Sequence, residues 1–328
     1  EFSSICCLGG KHMRNSTKLM ILTVLALLFS GLYLFQGLNG SFDYALPRRA
    51  IKVLAMAMTG VAIAYSTVIF QTITHNRILT PSIMGFDSLY ILLQTVVIFT
   101  LGSSHIVIVN KHVNFILSVS AMVLFALILY RFLFKSGGRP IYFLLLVGII
   151  VGTFFGSIST FLQVLIDPNE FLNVQDKMFA SFNNISSELV WWALAIIVIA
   201  VVLGWKNIHD LDVLSLGRDT AINLGVNYDN VVRKMLVLSA VLIAVSTALV
   251  GPITFFGLIV ANLSYQFFKT YKHSILIIGA SVMSVFALVG GQWVVERIFT
   301  FSTTLSVIIN FVGGIYFIYL LLKESRTT

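Results

Sequence analysis

The chain contains a series of long, nearly uninterrupted apolar segments, and this feature most constrains what it can fold into. Each segment has 17 or more residues, and about 20 apolar residues cross the roughly 30 Å core of a bilayer as an α-helix. The segments lie at about 19–38, 49–72, 82–101, 113–134, 141–164, 189–205, 233–250, 252–268, 274–296 and 303–322. Because lipid offers no hydrogen bonds to the backbone, helices are the expected structure. The sequence predicts an all-α, polytopic integral membrane protein with about ten transmembrane helices.

Composition agrees with this class. Charged residues make up only 10% of the 328 residues, whereas a soluble domain carries about a quarter. The first twelve residues, 1–12, resemble a cloning remnant before Met13, so we expect one transmembrane domain over 13–328. Both cysteines, Cys6 and Cys7, fall in that remnant, and the remaining chain offers no disulfide or thiol site.

The positive charges are unevenly distributed between the two sides of the predicted membrane protein. If the first span begins inside, fifteen of the 21 Lys and Arg residues fall on the inner side, as the positive-inside rule requires. This arrangement predicts that both termini and the connector between 205 and 234 are cytoplasmic. The net charge of +8 then reflects topology and not nucleic-acid binding.

The polar connector contains a segment, at about 206–232, that is more ordered than a simple tether. Its run Arg218 to Leu224 predicts a short helix, closed by Gly225, since glycine readily takes the left-handed conformation at a helix C-terminus. The apolar residues expected to face protein are Leu214, Ala221, Ile222 and Leu224, and those expected to stay polar are Arg218, Asp219 and Asn223. A short amphipathic helix at the inner face indicates a docking surface for a soluble partner.

Several kinds of chemistry are missing from the sequence. No Gly-x-x-x-x-Gly-Lys-[Ser/Thr] loop is present, so the chain does not itself use ATP. The six histidines are too scattered for a metal or haem site, and we expect no cofactor or metal on this chain. Asp87, which follows Pro81 and Gly85, is expected to satisfy backbone donors at a helix break. Gly148, Gly152 and Gly156 are expected to pack helices within one subunit.

Three stretches together resemble a known family. They are Leu46-Pro47-Arg48 with Gln71, Asn76 and the turn 80–85; the run 211–225; and Val250-Gly251-Pro252-Ile253-Thr254-Phe255-Phe256-Gly257-Leu258-Ile259. The chain resembles, over about 19–322, the permeases that import iron–siderophores, haem and cobalamin. It departs from the family pattern at Val260-Ala261-Asn262, His75-Asn76-Arg77-Ile78 and Gly313-Gly314-Ile315. These departures are similar to a branch for catecholate or mixed-ligand siderophores, in which two different permeases often pair.

The resemblance implies a type II ABC importer in the bacterial cytoplasmic membrane. Such an importer has two permeases (a heterodimer is favoured here), two ATPase subunits that hold ATP and Mg, and an extracytoplasmic substrate-binding protein. The residues implied in coupling to the ATPase are Leu216, Gly217, Arg218, Asp219, Ala221, Leu224 and Gly225. The chain itself would be a transport subunit and not an enzyme.

The resemblance also suggests roles for residues outside the connector. Arg48, Arg49 and Arg297, with Lys52 as a further candidate, would pair with carboxylates of the binding protein. Alternatively, they reach to lipid phosphates or pair within the chain, for example Arg297 with Glu296. The small residues expected to line a translocation path are Gly60, Ala64, Ser66, Gly156 and Ser157.

Other functions stay open at this point. Haem or cobalamin could replace the siderophore as cargo, because no cargo-specific motif is visible. An ion-gradient-driven transporter would need paired intramembrane acids, and a membrane-embedded enzyme would need clustered reactive side chains. The sequence shows neither pattern.

Overall fold

A computed structural model describes residues 14–36, 42–135, 141–183, 185–299 and 303–324. The expected remnant 1–12 lies outside these residues. All of the regular structure in the described ranges is helical. The helices are α1 (Asn15–Phe35), α2 (Phe42–Thr74), a 3₁₀ turn (Pro81–Met84), α3 (Phe86–Leu101), α4 (Ile106–Val109), α5 (Lys111–Lys135), α6 (Ile141–Leu165), α7 (Pro168–Met178), α8 (Ser187–Trp205), α9 (Ile208–Leu214), α10 (Arg218–Asn223), α11 (Tyr228–Val250), α12 (Phe256–Phe268), α13 (His273–Arg297) and α14 (Leu305–Glu324).

The polytopic all-α fold is confirmed, and each predicted span corresponds to a helix. Eight of these helices are long and apolar enough to cross a membrane, whereas α3 and α12 are apolar but have 16 and 13 residues. Each short helix follows a break in the chain, the 3₁₀ turn before α3 and residues 251–255 before α12. Gly85 and Gly251 make these breaks, with φ of +93° and +98°, a region where a Cβ would be strained.

The centre of the bundle is α2. It packs against α11 and α13, and also contacts α8, α9 and α12. In the most apolar 18-residue stretch of α2, 78% of the residues are buried, whereas the corresponding stretches of α1, α6 and α14 have 11%, 22% and 17% buried. These three helices therefore present most of their apolar surface to lipid or to another chain.

The glycine series on α6 has two different environments. A Cβ on Gly152 would lie 2.7 Å from Gly85 Cα, and one on Gly148 would lie 3.1 Å from Met84 Cβ. Both glycines thus let α6 approach the 3₁₀ turn of the same chain, which confirms the expected packing role. A Cβ on Gly156 would meet nothing within 4 Å, so the expected packing role is wrong for this third glycine.

Polar side chains hold the two breaks together. Asp87 Oδ2 accepts a hydrogen bond from Thr254 Oγ1 at 2.8 Å, so this carboxylate links the start of α3 to the segment before α12. We expected Asp87 to accept hydrogen bonds from backbone N–H groups; its partner is instead the hydroxyl of Thr254. Asn262 Nδ2 and Gln71 Nε2 both donate to the Arg77 carbonyl, at 2.8 and 2.6 Å. Asn262, one of the departures from the family pattern, thereby fixes the turn after α2.

Candidate functional site

The connector between α8 and α11 folds as two short helices. Helix α9 buries Ile208, Leu211 and Leu214 against the bundle. A link of three residues, 215–217, then leads to α10. Gly217 and Gly225 bracket α10 with φ of +100° and +86°, so both positions favour glycine. The predicted short helix and its closing glycine are confirmed.

Helix α10 has one buried side and one exposed apolar side. Ala221 is fully buried, and Leu214 on α9 is fully buried as well, as expected. Ile222 and Leu224 instead point away from the chain, with 49% and 60% of their surface exposed, and Leu216 is 60% exposed. A helix of six residues presents only one side to the bundle, so the remaining apolar residues face outward. We call Leu216, Ile222 and Leu224 the α10 patch.

The two charged residues of α10 differ in their contacts: Arg218 interacts with α11, and Asp219 is exposed. Arg218 Nη2 lies 3.7 Å from Asp229 Oδ1 of α11, and its guanidinium lies 5.7 Å from the ring centroid of Tyr228. Val226 N donates to the Ala221 carbonyl at 3.0 Å, closing the turn after α10. Asp219 is exposed in the first turn. Arg218 therefore anchors α10 to α11, while Asp219 is available to a partner.

At the opposite end of α2, two of the predicted arginines bind the chain's own backbone. Arg49 Nη1 donates to the Gln36 carbonyl at 2.7 Å, and Arg297 Nη2 donates to the same oxygen at 2.8 Å. Both arginines thus satisfy carbonyl groups at the end of α1 that the helix leaves unpaired. Glu296 Oε1 accepts from Tyr33 Oη at 2.6 Å, and the alternative pairing of Arg297 with Glu296 is not seen among the described contacts.

Positive charge is concentrated beside these arginines. A cavity of about 570 Å³ is lined by Arg48, Arg49, Lys52 and Lys111, and the described lining residues include no carboxylate. Burial, with a smaller contribution from the charge of Lys111, lowers the pKa of the nearby Lys177 ammonium. Arg48 is exposed on this surface. The region is suited to an acidic partner.

Three of the predicted path residues lie inside the chain. Ala64 and Ser66 are fully buried, and Ser66 Oγ lies 2.6 Å from Ser239 Oγ of α11. A Cβ on Gly60 would lie 2.8 Å from Ser284 Oγ of α13. The small side chains of Gly60, Ala64 and Ser66 therefore allow α2 to pack closely within the bundle, and their expected role as path-lining residues is corrected.

The other two path residues are at the surface of α6. Gly156 and Ser157 line an open groove of about 770 Å³. The groove also contains hydroxyl groups that sequence reasoning missed, namely those of Ser82, Ser88, Thr153, Thr160 and Thr254. The sequence does contain a pattern that could have predicted these residues. Residues 153, 156, 157 and 160 have the i, i+3, i+4, i+7 spacing that places all four on one face of α6.

The described helices thus form a polytopic membrane bundle with an exposed α10 patch and a groove that several hydroxyl groups line. Residues 11–323 match the FecCD transport family. The chain belongs to that family.

Comparison with individual proteins gives closer relatives. The chain is 61% identical to the petrobactin import system permease protein YclO of Bacillus subtilis, over 96% of this chain and 100% of that protein. It is 38% identical to the petrobactin import system permease protein FatC of Bacillus anthracis, over 87% of this chain and 80% of that one. A metal-chelate type ABC transporter solved in an inward-facing conformation has the same fold, with a TM-score of 0.80 at 21% identity, covering 94% of this chain and 99% of that one.

Proposed function

We propose that the chain is a permease subunit of an ATP-driven importer for a ferric siderophore of the petrobactin type. The observation that carries the proposal is the 61% identity to a petrobactin import permease along the whole length of that protein. Identity to a vitamin B12 import permease is only 28%, which favours a siderophore over cobalamin. The membrane would be the bacterial cytoplasmic membrane, with lipid around the bundle and both termini cytoplasmic.

ATP hydrolysis is assigned to separate ATPase subunits, which would hold ATP and Mg. The α10 patch supports this division, because Ile222 on α10 and the flanking Leu216 and Leu224 expose apolar surface outside the spans. Apolar residues at the centre of a docking surface carry most of its binding energy. Helix α10 would fit a groove on the ATPase and move with it when ATP binds.

A second, different permease would complete the transport path. Two proteins of B. anthracis, FatC and FatD, are both named petrobactin import permeases, and they are 38% and 24% identical to this chain. B. subtilis likewise has YclO and YclN, at 61% and 24% identity. Two distinct chains for one cargo support a heterodimer. The groove that contains Gly156 and Ser157 would face the path between the two permeases.

The opposite end of the bundle would receive a binding protein. Arg48 is the best candidate for direct contact, since it is exposed on the rim of the cationic cavity. Arg49 and Arg297 would act mainly by holding the end of α1, through their shared bond to the Gln36 carbonyl. Lys52 Nζ donates to Asn183 Oδ1 at 3.0 Å and lies 3.8 Å from Glu296 Oε1, so it is engaged within the chain.

Charge reversal at Arg48 tests the binding-protein surface. Arg48→Glu is expected to weaken binding of the cargo-loaded binding protein by about tenfold, because a like charge would face its carboxylates, and to reduce the salt dependence of binding. Binding to the importer in nanodiscs, measured at two ionic strengths, gives both quantities. Arg131→Glu, at another exposed position, is the control. Equal affinities for the Arg48 and Arg131 variants would contradict the assignment.

Cargo is tested in cells that lack their own petrobactin permease. Cells expressing this chain with the matching second permease, ATPase and binding protein are expected to take up iron supplied as ferric petrobactin. Uptake of haem, cobalamin or a ferric hydroxamate in the same cells should stay at background. Restored growth on haem or cobalamin alone would overturn the cargo assignment.

A further inference from the structure

A hydrogen-bond network, buried at Thr72 and His273 and partly exposed at Asp212, joins the α9–α10 segment to two central helices. Asp212 Oδ1 on α9 accepts from the backbone N–H of His273 and from its ring Nδ1, each at 2.7 Å. The other ring nitrogen, Nε2, lies 2.7 Å from Thr72 Oγ1 on α2. His273 is the first residue of α13 and is buried. One imidazole thus connects α9, α13 and α2.

The network occupies the point where motion of α10 would enter the bundle. Only residues 215–217 separate α9 from α10, and Ser215 Oγ donates to the Asp212 carbonyl at 2.6 Å. Among the described residues, the bonds of Asp212 to His273 are the only side-chain hydrogen bonds between α9 and a membrane-spanning helix. The buried side chains of α9 are apolar, namely Ile208, Leu211 and Leu214.

Hydrogen bonds and apolar contacts respond differently to a displacement of α9. Apolar surfaces can slide past each other while staying buried, because dispersion and burial are not directional. The buried backbone N–H and ring Nδ1–H of His273 cannot move away from Asp212 without being left as unsatisfied donors. Thr72 and His273 also line a cavity of about 600 Å³, so this side of the network borders open space.

We propose that Asp212, His273 and Thr72 are positioning residues that tie the α9–α10 segment to α2 and α13, so that displacement of α10 by the ATPase moves both central helices. This role rests on the proposed function of α10 as the ATPase-docking helix. The three side chains would not touch cargo or nucleotide. Their effect would be on how many ATP molecules are spent per cargo molecule transported.

The first test uses the chain alone in nanodiscs and does not depend on transport. Thr72→Val and His273→Ala are expected to raise amide hydrogen exchange in 208–214 by about twofold to thirtyfold, the range typical of mutations in a coupling network. Thr74→Val is a matched control, since Thr72 Oγ1 and Thr74 Oγ1 each lie 2.8 Å from a carbonyl oxygen four residues earlier, but only Thr72 contacts His273. His209→Ala, which removes an exposed histidine from α9 itself, is a second control and should leave the exchange in 208–214 unchanged. Exchange that is unchanged in His273→Ala, or raised equally in Thr74→Val, would overturn the proposal.

The second test uses the complete importer in proteoliposomes. The ratio of ATP hydrolysed to cargo transported is expected to rise by about twofold to thirtyfold in Asp212→Ala and His273→Ala, with complex assembly retained. The double variant should resemble either single variant, because residues that act through one network are not additive. Additive effects, or an unchanged ratio in an importer that transports, would contradict the role. If His273→Ala raises exchange but the chain binds no ATPase, the network is supported and the proposed function is refuted.

Discussion

Leu224→Asp is expected to reduce ATP-driven uptake by roughly a hundredfold while leaving the chain folded. Leu224 is 60% exposed on α10, so the substitution removes little packing within the chain. In the assembled importer the same position would be buried against the ATPase, where an unpaired carboxylate costs about 3 kcal/mol or more. The measurement is uptake in proteoliposomes, together with the amount of ATPase that copurifies with the permease.

A neighbouring position provides the matched control for this variant. Asn223→Asp introduces the same charge change one residue earlier on α10, at an exposed polar position, and should retain most of the uptake. Gly225→Pro should behave like Leu224→Asp, since the φ of +86° at this position is closed to proline. Asp219→Arg is also expected to uncouple hydrolysis from transport. Full uptake in Leu224→Asp would show that α10 is not the docking helix.

Gly152→Leu is expected to prevent the chain from folding in the membrane. A Cβ at this position would lie 2.7 Å from Gly85 Cα and 3.2 Å from Gly85 N, and a backbone segment cannot move aside as a flexible side chain can. Separating α6 from the turn before α3 is expected to cost at least about 3 kcal/mol. The yield of monodisperse protein in detergent and its thermal unfolding temperature measure this effect.

Gly156→Leu separates folding from transport on the same helix. A Cβ there meets nothing within 4 Å, so the variant should fold with an unfolding temperature close to that of the unmodified chain. Its side chain would project into the groove that Gly156 and Ser157 line, and uptake should fall by about tenfold or more, given the size of a ferric siderophore. A Gly156→Leu variant with normal uptake would exclude this groove from the path. A normally folded Gly152→Leu variant would contradict the packing.

The sequence was sufficient for the membrane-spanning helices because they depend on local apolar length, which hydropathy records directly, whereas the short helices α4 and α9 were not predicted. The same holds for α10, whose boundary is set by Gly225 and its positive φ. The amphipathic pattern of the connector predicted a docking helix and the family resemblance implied an ATPase as its partner, but the exposure of Leu224 and Ile222 depended on which side of α10 meets the bundle. A helix of only six residues has too short a pattern to decide that.

The path residues show why side-chain size alone is ambiguous. Small residues serve close packing of helices and also the lining of a path, and the sequence of α2 does not distinguish the two uses. Contacts between distant segments decide it, such as Ser66 with Ser239. Arg49 and Arg297 were similarly ambiguous, because their shared acceptor, the Gln36 carbonyl, is not apparent from either position. The network of Asp212, His273 and Thr72 joins three separated segments and has no local signature.

The most direct test is reconstitution of the chain into proteoliposomes with the proposed second permease and ATPase. Uptake of ferric petrobactin, presented by the binding protein, is then measured with ATP, without ATP, and with an ion gradient alone. The account predicts uptake that requires ATP, the ATPase and the binding protein, and no uptake driven by the gradient. Uptake by this chain alone under an ion gradient would contradict it and identify a secondary transporter.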